Sequence, residues 1–411
     1  MSTLLLANAV IFNGVDEDLI EGGSVLIEDD TIREVSPRKI ETRVDQVVDC
    51  GGRFLMPGLI DLHFHAYSAT FDIYALDRMP KPLLAGYAFK HLRDALSRGF
   101  TTVRDPGGGD IGLTLAIDKL LVEGPRFLYG GKALSQTGGH GDIRPAHMEE
   151  ICPCEYSGTI TRVVDGADEI RKVCRDELRK GADHIKVFIS GGVASPSDPV
   201  WMSGFTHEEL RAAVEEAERR RKYVIAHCLT DDGARRCVEA GIRSIDHAGD
   251  VSDETAAMIA STGKTYTVPT IAVIRQILEF GTRTGMKAES VAKAQGLKDS
   301  MLAGIERCRR AGVKIGLGTD IFGTDWHHMQ SSEFRFRTEV DRPIDILRSA
   351  TSVNAEIIQR AGELGVVAES AKADLLLLDK NPLQDLGVFE RWRAEMPMVM
   401  KGGVMHRRAW N

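Results

Sequence analysis

Eight short apolar runs, most of them separated by helical patterns, recur through the middle of this chain and restrict it to very few folds. The runs are LIDLHFH, FTTVRD, RFLYGGKAL, DHIKVFIS, KYVIAHC, RSIDHAG, TYTVPT and VKIGLGTD. Between them lie amphipathic stretches such as THEELRAAVEEAERRRK, which opens with Thr206 and Glu209 in the spacing of a capping box. DDGARRCVEAG, SDETAAMIASTG and SVAKAQGLKDSMLAGIERCRRAG read the same way. Strand–helix alternation repeated eight times predicts an α/β fold, a (β/α)8 TIM barrel over residues 57–360. A doubly wound open sheet is the structural alternative. No Gly-rich dinucleotide fingerprint follows the first strand to support it.

A barrel of this class takes about 250 residues, and the chain has 411. The surplus lies at both ends and reads as short strands broken by Gly and Asp turns. LLLANAVIFNG, GSVLIEDDTIREV and QVVDCGGRFLMPG stand at the start; GVVAESAKADLLLLDKNP and MPMVMKGGVMHRR stand at the finish. Neither set suffices for a core. Together, residues 1–56 and 361–411 are expected to form one small β-sandwich. The net charge of -8 argues against a nucleic-acid partner. No apolar run approaches the ~20 residues that span a bilayer, and the first residues lack a basic, cleavable leader. A cytoplasmic protein with no membrane partner is expected. The seven cysteines are scattered, with only Cys152 and Cys154 close together and no second pair to complete a tetrahedral site. Reduced thiols are expected.

Catalytic groups of such barrels stand at the C-terminal ends of strands. Strand one ends in His63 and His65, strand four carries Lys186, strands five and six end in His227 and His247, and strand eight ends in Asp320. Only twelve histidines exist in the chain, and four occupy these positions. Residues two apart on a strand face the same way, so His63 and His65 aim at one metal, with Asp320 adding a carboxylate oxygen. His227 and His247, from neighbouring strands, hold a second. An ammonium at Lys186 would be repelled by cations. A Lys186 amine that has added CO₂ becomes a carbamate able to bridge both metals. Each residue alone has an ordinary structural reading: a core histidine, a snorkelling lysine, an Asx turn at Asp320. Their order on successive strand ends does not. Arg104 and Asp105, at the end of strand two, are expected to form a buried supporting pair. The glycines of the Ser190–Gly192 run are expected to shape the pocket wall.

This constellation, led by PGLIDLHFH, resembles the amidohydrolase superfamily over nearly the whole chain. SQTGGHGD, HIKVFISGGVASPSDPV and the tail GTD…QSSEFRFRTEV resemble its metal-dependent dipeptidases, an imidazolonepropionase-related group. That group includes Xaa-Pro dipeptidases (prolidases), carboxypeptidases acting on Xaa-Arg or Xaa-Lys, and ochratoxin-type amide hydrolases. The resemblance implies two Zn²⁺ per subunit on His63, His65, Lys186, His227, His247 and Asp320, with Lys186 carboxylated. It implies that His140 reaches the substrate carbonyl or the tetrahedral intermediate. One departure stands out: such relatives usually read HAYT after the strand-five histidine, and this chain has Leu229 in place of the tyrosine. Leu229 and the loop residues Trp326 and His328 are therefore expected to contact substrate.

The implied activity is hydrolysis of the amide bond of a dipeptide or N-acyl amino acid, with an Xaa-Pro dipeptide as the single best guess. A hydroxide bridging the metals attacks the carbonyl, and Asp320 carries its proton to the leaving nitrogen. The partner is a small molecule, and a homo-oligomer is expected. Two other classes compete. A cyclic-amide hydrolase or deaminase is disfavoured by Lys186, which the mononuclear deaminase branch normally lacks. A non-catalytic scaffold is disfavoured by the presence of all six candidate ligands.

Overall fold

The computed structural model describes residues 2–144, 148, 160–195, 198–284 and 286–409. Cys152 and Cys154 lie outside the described residues. The described cysteines Cys50, Cys174, Cys228, Cys237 and Cys308 are free and buried.

Both chain ends build one eight-stranded sheet. Its strands run in the order Val404–Arg408, Met398–Lys401, Leu375–Leu378, Phe54–Pro57, Thr3–Ile11, Ile20–Glu28 and Thr31–Ser36, with Gln46–Asp49 also paired to Thr3–Ile11. The two ends of the chain meet where Leu375–Leu378 runs antiparallel to Phe54–Pro57. Four consecutive leucines suit that place because the strand is covered on both faces. Leu375 and Leu377 join Leu6, Ile27 and Met400 in the core of this sheet. Leu376 and Leu378 point the other way, into a cluster with Leu92, Phe100 and Phe389.

The central α/β unit is the TIM barrel that the alternation predicts. Leu59–Asp61, Phe100–Asp105 and Arg126–Tyr129 pair in parallel. His184–Phe188, Tyr223–Cys228, Ser244–His247 and Tyr266–Val268 continue the parallel order. The third run, RFLYGGKAL, is broken in two. Arg126–Tyr129 pairs with the second strand, and Ala133–Ser135 bonds the fourth through Val187. Gly131, at φ +67°, makes the break, and a Cβ there would lie 2.2 Å from Glu177 Oε2. The helix His207–Arg219 has the capping box expected of Thr206 and Glu209. None of the described helices is long and apolar enough to cross a membrane.

The eighth run, VKIGLGTD, departs from the strand expected of it. Its sole bridge joins Ile315 to Thr267. The barrel still closes, because Gly316 N donates to Thr267 O at 2.8 Å and Leu62 N donates to Leu317 O at 3.0 Å. A buried side chain replaces the missing ladder. Asn354 accepts from Leu317 N at 3.0 Å and donates to Ile60 O at 2.7 Å and Leu317 O at 2.8 Å. Gly316 makes room for that amide, since a Cβ would lie 2.5 Å from Asn354 Oδ1. An Asn354→Ala protein should therefore unfold at lower urea, with a loss of about 1–3 kcal/mol for the backbone groups left unpaired. An unchanged midpoint would show that the closure holds without the amide.

Candidate active site

The strand ends converge on a cavity whose wall includes His63, His65, His140, Lys186, His227, Leu229, His247 and Asp320. Inward positions alternate as a strand requires. Along His184–Phe188, His184 is buried low in the barrel, Lys186 stands above it, and Phe188 reaches the cavity. His227 and His247 come from adjacent strands, with ring centroids 4.6 Å apart. His63 and His247 are 4.8 Å apart, which joins the two halves of the cluster.

Two of these residues stand in strained backbone. His247 has φ +73° and Asp320 φ +56°, a region costly for residues other than glycine and often kept at functional sites. The turn at His247 has a consequence for the strand. Neighbours on a regular strand face opposite sides, yet Asp246 bonds His63 from below while His247 lines the cavity.

Each histidine is fixed through one ring nitrogen and leaves the other for the centre. Nδ1 of His63 bonds Asp246 Oδ2 at 2.8 Å, Nδ1 of His65 bonds Gly107 O at 3.0 Å, and Nδ1 of His247 bonds Thr270 Oγ1 at 2.7 Å. His227 is held through Nε2, 3.2 Å from Gly191 O. Such outer partners are the usual support of metal-binding imidazoles. Asp320 Oδ1 lies 3.5 Å from His63 Nε2 and 3.4 Å from His65 Nε2. The donor atoms of His63, His65 and Asp320 lie within 4.8 Å of one another, close enough to share an ion. Burial, helped by neighbouring cationic groups, pushes His63, His227 and His247 well below the usual imidazole range. They are thus neutral, the form that binds a metal. At His65 burial works in the same direction, but the hydrogen bond and charge of Asp320 outweigh it and the pKa rises. Burial lowers Lys186 to about 8. Its Nζ is 3.9 Å from Asp246 Oδ2.

Three supporting residues were not apparent from the strand-end pattern. Asp246 lies fully buried beneath the cluster, accepting from Arg104 Nη2 at 3.0 Å and from Ser244 Oγ at 2.6 Å. Asp61 accepts from His63 N, Thr319 N, Thr319 Oγ1 and Gln330 Nε2, and so locks the first strand to the segment that carries Asp320. Asp198 bonds His140 Nδ1 at 2.9 Å. An acidic residue two places before His63 and another directly before His247 were the available signal for Asp61 and Asp246.

Three expectations need correction. Arg104 does not pair with Asp105. The two are neighbours on one strand and face opposite ways, so Arg104 meets Asp246 inside the barrel while Asp105 accepts from Ala66 N, Gly107 N and Gly109 N. Trp326 does not line the cavity, because its ring stacks on Phe280 at 4.0 Å. His328 is exposed and turns back to Asp325 O at 2.8 Å. Phe322, four residues before Trp326, takes the place at the wall beside His65. Leu229 does line it, with Val273, Ile274, Ile277 and Met301, so much of the wall is apolar.

Comparison with known proteins agrees with this geometry. The amidohydrolase family profile matches residues 54–405. The ochratoxinase of Aspergillus niger is 33% identical over 369 residues, covering 86% of this chain and 75% of that protein. A crystal structure of a prolidase complexed with N-methylphosphonate-L-proline is 39% identical with a TM-score of 0.95, covering 99% of this chain and 100% of that one. A crystal structure of an Xaa-Pro dipeptidase with methionine in its active site is 26% identical with a TM-score of 0.87, over 99% and 100% of the two chains. A match of this length, on a barrel whose strand ends gather histidines and acids around one cavity, places the chain in the amidohydrolase family as a hydrolase of amide bonds.

Proposed function

We propose that the protein is a two-zinc peptidase that hydrolyses the amide bond of a dipeptide or N-acyl amino acid, with Xaa-Pro dipeptides as the first substrates to try. One observation carries the reading: His63, His65, Lys186, His227, His247 and Asp320, from five separate stretches of the barrel, all face one cavity. The donor set suits two metals. His63 and His65 with Asp320 offer one group of ligands, His227 and His247 offer another, and Lys186 lines the same cavity, its Nζ 3.9 Å from the Asp246 carboxylate that holds His63. A buried amine with its pKa near 8 keeps a share of free base at neutral pH. Free base adds CO₂ and releases a proton, giving a carbamate whose two oxygens suit a pair of cations. When bound, the metals lower the pKa of water to about 7 and polarise a carbonyl.

The chain's own groups do the rest. Asp320, within 3.5 Å of two imidazoles, holds the proton taken from water and delivers it to the leaving nitrogen. His140, which lines the cavity beside His227, donates a hydrogen bond to the oxygen that gains charge. Leu229 and its apolar neighbours exclude water from the flank of the scissile bond. The likeness to a prolidase and to an ochratoxinase supports an amide with a carboxylate-bearing amine side.

A panel of Xaa-Pro dipeptides, other dipeptides and N-acyl amino acids, incubated with zinc-loaded protein, should release new primary or secondary amine. Ammonia alone, released from the exocyclic amines of purine- or pyrimidine-like rings, would instead favour the deaminase class. Metal analysis of the protein grown with ample zinc should find close to two per chain.

A further inference from the structure

We infer that Asp198 is a positioning residue for His140, and that Lys293 holds in place the loop that carries it. The inference rests on the reading of His140 as a group that faces substrate. Asp198 is 1% exposed. Its Oδ2 bonds His140 Nδ1 at 2.9 Å and accepts from Gly192 N at 2.7 Å. Its Oδ1 is buried with no hydrogen-bond partner among the described residues. A carboxylate kept out of water for one ring and one amide is a costly arrangement for loop folding alone.

The ring is also restrained on its faces. His227 stacks on it, with centroids 4.5 Å apart and planes 20° from parallel. Gly192 packs so closely that a Cβ there would lie 2.1 Å from His140 Cε1. With Nδ1 taken by Asp198, Nε2 is the nitrogen left for the cavity that His140 lines.

Lys293 reaches this assembly from the helix Ala288–Arg310. Its Nζ donates to Gly192 O at 3.1 Å, Ser195 O at 3.3 Å and Asp198 O at 2.8 Å. An ammonium has three donors, and these three carbonyls use them all. The residue thus ties both ends of the turn that carries Gly192 and Asp198. Neither Lys293 nor Asp198 belongs to the proposed ligand set, so their effect reaches the reaction through His140.

A double-mutant cycle tests this. With the best substrate of the dipeptide panel, His140→Ala and Asp198→Ala should each lower kcat by about 10–100-fold with KM within threefold. This is the pattern of an interaction made in the transition state. The double variant should fall no more than threefold below His140→Ala alone, because a residue acting through another has nothing left to act on. Asp198→Glu should recover part of the rate, and Lys293→Met should reproduce a milder form of the Asp198→Ala loss. If Asp198→Ala costs its full factor again in the His140→Ala protein, the two act separately and the inference fails. A second arm needs no substrate. In protein labelled with ¹⁵N-histidine, the His140 Nδ1–H proton should resonate downfield and exchange slowly, and should vanish in Asp198→Ala. Its persistence would overturn the positioning role even if amide hydrolysis itself is not found.

Discussion

Replacing Lys186 with Ala should lower the rate of amide hydrolysis by about three orders of magnitude, or ~4 kcal/mol in the barrier. The lysine is 3% exposed, its Nζ lies 3.9 Å from Asp246 Oδ2, and it lines the cavity that the four histidines share. Truncation removes the group proposed to join two cations there. Zinc content should fall with activity, which separates loss of the site from loss of chemistry. Formate or propionate should restore part of both, because a small carboxylate fits the space of the missing carbamate. Loading the metal-free protein in CO₂-stripped buffer should likewise slow zinc uptake. Full activity in the Ala variant, or uptake indifferent to bicarbonate, would remove Lys186 from the bridge. Conversion to Arg is a useful companion. It keeps a cation but cannot form a carbamate, so it should be as inactive as Ala and should not respond to formate.

The strand-end positions were legible in the sequence because a strand has a strict period and a barrel puts its chemistry at one end. His63 and His65 follow from a spacing of two, and Asp320 follows from its place after the eighth apolar run. Side chains that act sideways were harder to read. Asp246 precedes His247 directly, and on a regular strand only one of such a pair would face the site. The left-handed turn at His247 lets both serve it, and no local residue type announces that turn. Trp326 and His328 were misplaced for a similar reason. Proximity to Asp320 in the chain says nothing about direction, and the 3₁₀ segment Thr324–Ser331 turns Trp326 onto Phe280. The eighth strand was misread because its apolar pattern is intact while Asn354, distant in sequence, takes over its hydrogen bonds.

Asp246→Ala should damage both the fold and the site, and the two effects can be separated. Arg104 is fully buried, with Nη2 3.0 Å from Asp246 and Nε 2.7 Å from Leu62 O. Removing the carboxylate leaves that guanidinium without its counter-charge. Breaking a buried pair in this way costs about 3–5 kcal/mol, so the thermal midpoint should drop by several degrees. The same change frees the His63 ring, which loses the 2.8 Å bond that orients it. Loss of such an outer partner weakens metal binding by about 10–100-fold. Replacing both members, Arg104→Met with Asp246→Leu, removes the stranded charge and should recover much of the stability, since apolar substitutes for a buried pair are often neutral. It restores nothing to His63, so zinc affinity should stay low. A double variant that regains both would mean that Asp246 serves the barrel core alone. An Asp246→Ala protein with unchanged midpoint and unchanged zinc affinity would mean that neither the ion pair nor the histidine bond matters.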